Sequence, residues 1–172
     1  MSRFTRALVV SPLADGKTWV LVEPFGYDVG ELGSGDTIEV VRGFKTDFAS
    51  IPRLFWIVLP KWGKYGNAAV IHDWLYFTQQ RTREEADRIL FEAMQVLTVP
   101  RWQQYPIFYA VRWFGWFAWK RNQWDKEAGY SRIMEETELK STMRSDRPGF
   151  IRQSINHWRL RRKGERQGRN ND

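Results

Sequence analysis

Hydrophobic and polar positions alternate over short stretches in the first third of the chain, as they do in β-strands. Segments rich in glycine, proline and aspartate, which favour turns, separate these stretches. The pattern predicts three strands, at residues 7–10, 19–23 and 37–41, in one small antiparallel sheet. A sheet of only three strands is stable when another layer packs against it, so we expect helices to cover one face.

After residue 50 the apolar positions recur every three or four residues, which indicates helices. Ser50 followed by Pro52 is typical of a helix start, and predicts a short helix that ends near Pro60. A loop is predicted at residues 62–66. The next apolar stripe predicts a helix over about residues 67–77.

A second helix of a hairpin is predicted after the polar turn at residues 78–81. Thr82 and Glu85 have the spacing of a capping box, in which each residue satisfies a free backbone N–H of the other. This helix ends before Pro100. A third helix, at about residues 104–121, is so aromatic that it is apolar nearly all round.

The composition changes after Trp124, and we predict two domains from that change. Residues 1–124 form a compact α+β domain: the sheet, the helical hairpin and the aromatic-rich third helix. Residues 125–172 form a polar, basic C-terminal appendage with a helix at about 150–160, partly disordered unless it binds a partner. Residues 150–172 hold seven Arg or Lys and two acidic residues, a net charge of +5.

Several classes of site are excluded by composition. The chain has no cysteine, so disulfides, thiolate catalysis and zinc sites built on cysteine are absent. We identify no secretory signal peptide and no apolar run of the roughly 18 residues that cross a membrane. The net charge of +7 favours contact with polyanions or with anionic lipid, and ten Trp suit a core, an interface or a membrane surface.

The helical hairpin carries the candidate chemistry. His72 lies about seven residues before the centre of the turn and Asp87 about seven after it, so the two lie at the same height on antiparallel helices. A carboxylate beside an imidazole fixes its tautomer and raises its basicity, which leaves the other ring nitrogen free to activate water. Alternatively, His72 is a hydrogen-bonded core residue and Asp87 is its partner.

Three further residues extend this site. Tyr76 lies one turn after His72 and can place its hydroxyl on Asp87. Asp73 points away from the His72–Asp87 pair by about 100°, so it is free to hold a hard cation. Asp47, in the loop after the last predicted strand, is either another cation ligand or the ion-pair partner of Arg53 or Arg112.

The motifs at residues 46–53 (TDFASIPR), 72–76 (HDWLY), 86–88 (ADR) and 109–115 (YAVRWFG) resemble an uncharacterised family of phage and prophage proteins. The resemblance covers about residues 40–120. It implies a phage setting, in the host cytoplasm, in the virion or in both.

The pattern His-Asp-x-x-Tyr on one helix and Asp on its antiparallel partner is also distantly similar to the phospholipases A2. This similarity implies that His72 is the general base, that Asp87 orients it and that Tyr76 braces Asp87. It implies that Asp73 is a ligand for Ca²⁺. The loop at residues 62–66 has two glycines and does not repeat the glycine-rich calcium loop of those enzymes.

Three functions follow from these observations. The first is a phospholipase A2-like hydrolase of lipid esters at a membrane surface, with the Trp-rich third helix in the headgroup region unless it packs in the core or on a partner. The second is a non-catalytic virion or assembly component that binds other particle proteins through its Trp-rich face and basic tail. The third is non-specific binding of nucleic acid by the tail. Nothing in the sequence indicates the oligomeric state.

Overall fold

The computed structural model describes residues 3–30, 34–47 and 65–145 of the 172-residue chain. The chain divides into two compact units, residues 1–134 and residues 135–172. The short helix predicted at residues 52–60, most of the loop at 62–66 and the helix at 150–160 lie outside the described residues. The α+β class is confirmed, because short antiparallel strands are followed by helices.

The described strands of the first unit form two three-stranded antiparallel sheets. One sheet has the order β1-β4-β5 and the other has the order β2-β3-β6. The strands are short, at two to four residues each, so the sheets depend on packing against the helices. Their bounds are β1 Arg3–Phe4, β2 Val10–Pro12, β3 Trp19–Leu21, β4 Phe25–Asp28, β5 Thr37–Val40 and β6 Lys45–Thr46.

The prediction of a single three-stranded sheet was wrong, because the strands form two sheets and pair in a different order. Strands β3 and β5 lie where strands were predicted, but they belong to different sheets. Strand β4 was predicted as a glycine-rich loop. A Cβ atom at Gly26 would lie 2.9 Å from Thr5 Oγ1. The glycine therefore permits two segments of the backbone to approach closely within the sheet, and it does not mark a turn.

The helical hairpin of the first unit is as predicted. Helix α1, Gly66–Thr78, ends at Gln79, which has a left-handed backbone conformation (φ 52°). Helix α2, Arg83–Val96, begins with the predicted capping box of Thr82 and Glu85. Helix α1 is buried on nearly all sides and contributes the largest share of the core, whereas α2 buries one face.

Helix α3, Arg101–Glu127, is longer than predicted at both ends. It begins directly after Pro100 and continues three residues beyond the domain boundary predicted at residue 124. One face packs against α1 and α2 through Ile107, Ala110 and Val111. The opposite face is exposed and aromatic, so the helix is not buried all round. The second unit contains helix α4, Glu136–Ser145, which was not predicted.

Candidate functional site: a buried histidine–aspartate pair

The helical hairpin places His72 of α1 against Asp87 of α2. The His72 Nε2 atom lies 2.9 Å from Asp87 Oδ1, at the common height that the residue spacing predicts. The side chains are 1% and 0% exposed, respectively. A buried carboxylate is costly unless hydrogen bonds or opposite charges compensate it, so the environment of Asp87 determines whether this pair is stable.

Asp87 accepts hydrogen bonds from four side chains among the residues that the structure describes. His72 and Tyr76 donate to Oδ1, with the Tyr76 hydroxyl at 2.7 Å. The Nη1 atoms of Arg112 and Arg83 donate to Oδ2 at 3.1 and 3.3 Å. Arg83 Nη1 also contacts the carbonyl oxygen of Arg112 at 3.1 Å. The carboxylate therefore joins helices α1, α2 and α3, and the two guanidinium groups offset its charge.

These contacts determine the charge states around Asp87. Burial raises the pKa of Asp87. The hydrogen bond and charge of His72 lower it, as do the hydrogen bonds from Tyr76 and Arg112. The lowering is larger than the effect of burial, so the net shift of the pKa is downward. Burial and the neighbouring Asp87 carboxylate raise the pKa of Tyr76. At neutral pH Asp87 is therefore ionised and Tyr76 is a neutral hydrogen-bond donor.

The ionised state of Asp87 fixes the tautomer of His72. A carboxylate can only accept, so the hydrogen between the two groups is on Nε2. In the neutral form of the imidazole the lone pair is then on Nδ1. Nδ1 is buried and has no hydrogen-bond partner within residues 3–30, 34–47 and 65–145. A buried nitrogen with a free lone pair is unusual, since most buried polar atoms are paired. It is the feature of this site that fits a general base.

The two other predicted acids lie in different environments. Asp73 is buried, and its Oδ2 accepts a hydrogen bond of 2.5 Å from Thr46 Oγ1 on β6. Asp47 Oδ1 lies 3.4 Å from Nη2 of Arg132. Arg112 was predicted as one alternative partner of Asp47, but it pairs with Asp87 and Glu84 because it lies on the side of α3 that faces α2. Arg53, the other predicted partner, lies outside the described residues.

These acids do not make up a calcium site by themselves. Ca²⁺ takes six to eight oxygen ligands. Within the described part of the chain, no group of three or more His, Asp or Glu side chains is arranged to hold a metal ion. The cationic Arg132 beside Asp47 also opposes a second positive charge there.

The sequence did not predict the two arginines on Asp87. Arg83 precedes Asp87 by four residues, the spacing of an ion pair on a helix, so the pattern contained a signal for it. Arg112 had no such signal, because its position depends on how α3 crosses α2. Gly115 was also missed: a Cβ atom there would overlap the Tyr76 hydroxyl, so α3 needs glycine where it crosses α1.

The fold and the site define a small α+β domain with a buried His–Asp pair between antiparallel helices. The chain belongs to the DUF1353 family, described as proteins of unknown function, which it matches over residues 19–111. This region begins at β3 and includes both helices of the hairpin, with His72, Asp73 and Asp87. It ends one residue before Arg112.

Two curated relatives are themselves uncharacterised. The chain is 36% identical over 78 residues to the uncharacterized protein y4jT of Sinorhizobium fredii (strain NBRC 101917 / NGR234), a match to 44% of this chain and 23% of that protein. It is 35% identical over 104 residues to the uncharacterized protein y4iH of the same organism, a match to 59% of this chain and 42% of that protein. The chain thus spans less than half the length of either relative.

No solved structure matches the chain significantly. Among the helices in the described ranges, none has the length and apolarity to cross a membrane.

Proposed function

We propose that this protein is a hydrolase of lipid esters in which His72 is the general base. The observation that carries the proposal is the buried Nδ1 of His72, which has no hydrogen-bond partner among the described residues and whose other ring nitrogen is bonded to an ionised Asp87. Asp87 and Tyr76 are positioning residues: Asp87 fixes the tautomer of His72, and Tyr76 holds one oxygen of Asp87. The distant similarity to the phospholipases A2 supports the choice of a lipid ester as substrate.

The proposed reaction needs water and one base. His72 Nδ1 takes a proton from water while the water oxygen forms a bond to the ester carbonyl carbon. The carbon–oxygen bond to the alcohol then breaks, and the imidazolium returns its proton to the leaving alkoxide. The products are a fatty acid and an alcohol. Asp87 stabilises the imidazolium between these steps, as a carboxylate does for the histidine of other hydrolases.

The site sets conditions for this reaction. His72 is 1% exposed, so an ester reaches Nδ1 only after neighbouring residues move apart. No step of the proposed reaction passes through a metal ion. The resemblance to the calcium-dependent enzymes nevertheless makes calcium a condition to vary in the assay.

The release of fatty acid from phosphatidylglycerol vesicles tests the proposal. Purified full-length protein is incubated with the vesicles in calcium and, separately, in chelator, and free fatty acid is measured over time. We expect release in proportion to protein concentration in at least one of the two conditions. A rate equal to that of vesicles alone in both conditions would overturn the proposal.

A second candidate, a non-catalytic component of a phage particle or of its assembly, is favoured by the burial of His72 and by the number of bonds on Asp87. In this alternative the His–Asp pair holds the hairpin together and carries out no chemistry. The resemblance to phage and prophage proteins supports the setting. Stoichiometric protein in purified particles, together with no hydrolysis, would establish this role; protein found only in infected cytoplasm would argue against it.

A further inference from the structure

Helix α3 presents an aromatic surface on the side away from the core. Its members lie three, four or seven residues apart, except for one adjacent pair, and they occupy roughly a third of the helix circumference. From first to last they extend over about 33 Å at 1.5 Å per residue. We name this surface the aromatic face of α3; its members are all exposed, from 45% to 67%, and they are Trp102, Tyr105, Tyr109, Trp113, Trp116, Phe117 and Trp124.

Neighbouring rings of this face are packed together although they are exposed. The ring centroids of Tyr109 and Trp113 are 5.5 Å apart with nearly parallel planes, and those of Tyr105 and Tyr109 are 6.5 Å apart. The rings of Trp116 and Phe117 are also stacked, with centroids 3.6 Å apart. Contiguous exposed apolar patches are rare on soluble monomers and mark sites where another surface binds.

The chemistry of the face distinguishes between a protein helix and a lipid surface. A seam between two helices is built from Leu, Ile and Val, which interdigitate. Along the 27 residues of α3, all of which the structure describes, every exposed large hydrophobic residue is aromatic. Trp and Tyr are enriched at the membrane–water interface, where the ring is apolar and its N–H or O–H contacts headgroups and water.

The charges beside the face specify the kind of lipid. Residues 101–124 include four basic residues and no acidic one. Arg112 is bonded to Asp87, but Arg101, Lys120 and Arg121 are exposed, with Arg121 Nε 3.9 Å from Asp125 Oδ2. Lys120 lies within the arc of the face, three residues after Phe117. Basic side chains next to a buried apolar face are the pattern of helices that lie on anionic membranes.

We infer that the aromatic face of α3 binds the surface of an anionic lipid bilayer, with the helix parallel to the membrane plane. The opposite side of α3, including Ile107 and Val111, is buried in the core, so only the outer half of the helix can enter the headgroup region. This binding does not depend on catalysis at His72. It adds to the proposed function by naming the surface that would bring the protein to its lipid.

Binding to vesicles of ether-linked phosphatidylglycerol tests this inference, because ether lipids contain no ester bond and binding is measured without hydrolysis. The test variant is Trp113→Gln/Trp116→Gln, which keeps good helix formers in α3. The matched control is Tyr130→Gln, since Tyr130 is 72% exposed but lies after the helix. All three proteins are compared in thermal unfolding first, and we expect similar midpoints because the changed rings are exposed.

We expect wild type and the Tyr130 variant to cosediment with the anionic vesicles, and the double variant to bind at least about tenfold more weakly. Wild type should bind neutral ether-linked phosphatidylcholine vesicles more weakly than anionic ones. Equal binding by the double variant would overturn the inference and assign membrane binding to another basic segment. Dimeric wild type, with a monomeric double variant and no vesicle binding, would overturn it in favour of a second copy of the chain.

Discussion

The hydroxyl of Tyr76 on α1 lies directly against Gly115 on α3, at the point where the two helices cross. The same hydroxyl donates to Asp87 at 2.7 Å. A side chain at position 115 would occupy the space of the hydroxyl, so the glycine lets Tyr76 reach the carboxylate. The packing of α3 and the geometry of the His–Asp pair are thereby connected.

Gly115→Ala should destabilise the protein by about 1–3 kcal/mol, the usual cost of forcing an additional methyl group into a packed site. Removal of the hydroxyl in Tyr76→Phe frees that space, although it costs about 1.5–3 kcal/mol in the lost hydrogen bond to a charged carboxylate. The double variant should therefore be less destabilised than the sum of the single variants. Urea unfolding of the four proteins measures the coupling, and additive effects would contradict the contact.

The helical hairpin was predictable because its signals are local. The capping box at Thr82 fixes where α2 begins, and equal residue counts on either side of the turn bring His72 and Asp87 to the same height. The two-sheet arrangement was not predictable. It depends on pairing between residues far apart in sequence. In addition, the sequence does not distinguish Gly26, which is needed for close packing, from a glycine that forms a turn.

Thr46→Val should destabilise the protein by about 1–3 kcal/mol, because it removes the hydroxyl that donates to the buried Asp73. Thr46→Ser keeps the hydroxyl and removes one methyl group, so it should be destabilised less. Chemical unfolding at neutral pH compares the two variants. If the serine variant were the less stable one, methyl packing and not the hydrogen bond would be the contribution of Thr46.

The candidate site was predictable only in part, because some of its contacts are local in sequence and others are not. His72, Asp73 and Tyr76 are neighbours on one helix, and their spacing determines which of them can reach Asp87. Two hydrogen-bond donors lie on other elements: Thr46 on β6 donates to Asp73, and Arg112 on α3 donates to Asp87. Their positions depend on how distant elements pack, which no local sequence pattern indicates. The exposure of the aromatic face of α3 was also undetermined, because an aromatic helix in sequence fits a core, an interface or a membrane surface.

Asp87 should make stability depend on pH in the acid range. Its folded-state pKa is lowered, so the ionised carboxylate contributes stability that is complete above its unfolded pKa of about 3.9 and is lost as pH falls through the folded value. Asp87→Asn cannot titrate. The difference in the free energy of unfolding between wild type and this variant should therefore shrink from about pH 6 to about pH 2. A constant difference over that range would show that the fold does not favour the ionised form.

His72→Gln tests the central claim most directly. The amide of the introduced glutamine can still donate to Asp87 but has no basic nitrogen, so the fold should persist while the proposed base is lost. Fatty-acid release from phosphatidylglycerol vesicles is measured for wild type and the variant, with thermal unfolding as the check on folding. We predict a loss of at least about 10²-fold in rate with little change in stability. A folded variant that releases fatty acid at the wild-type rate would contradict the role of His72 as general base.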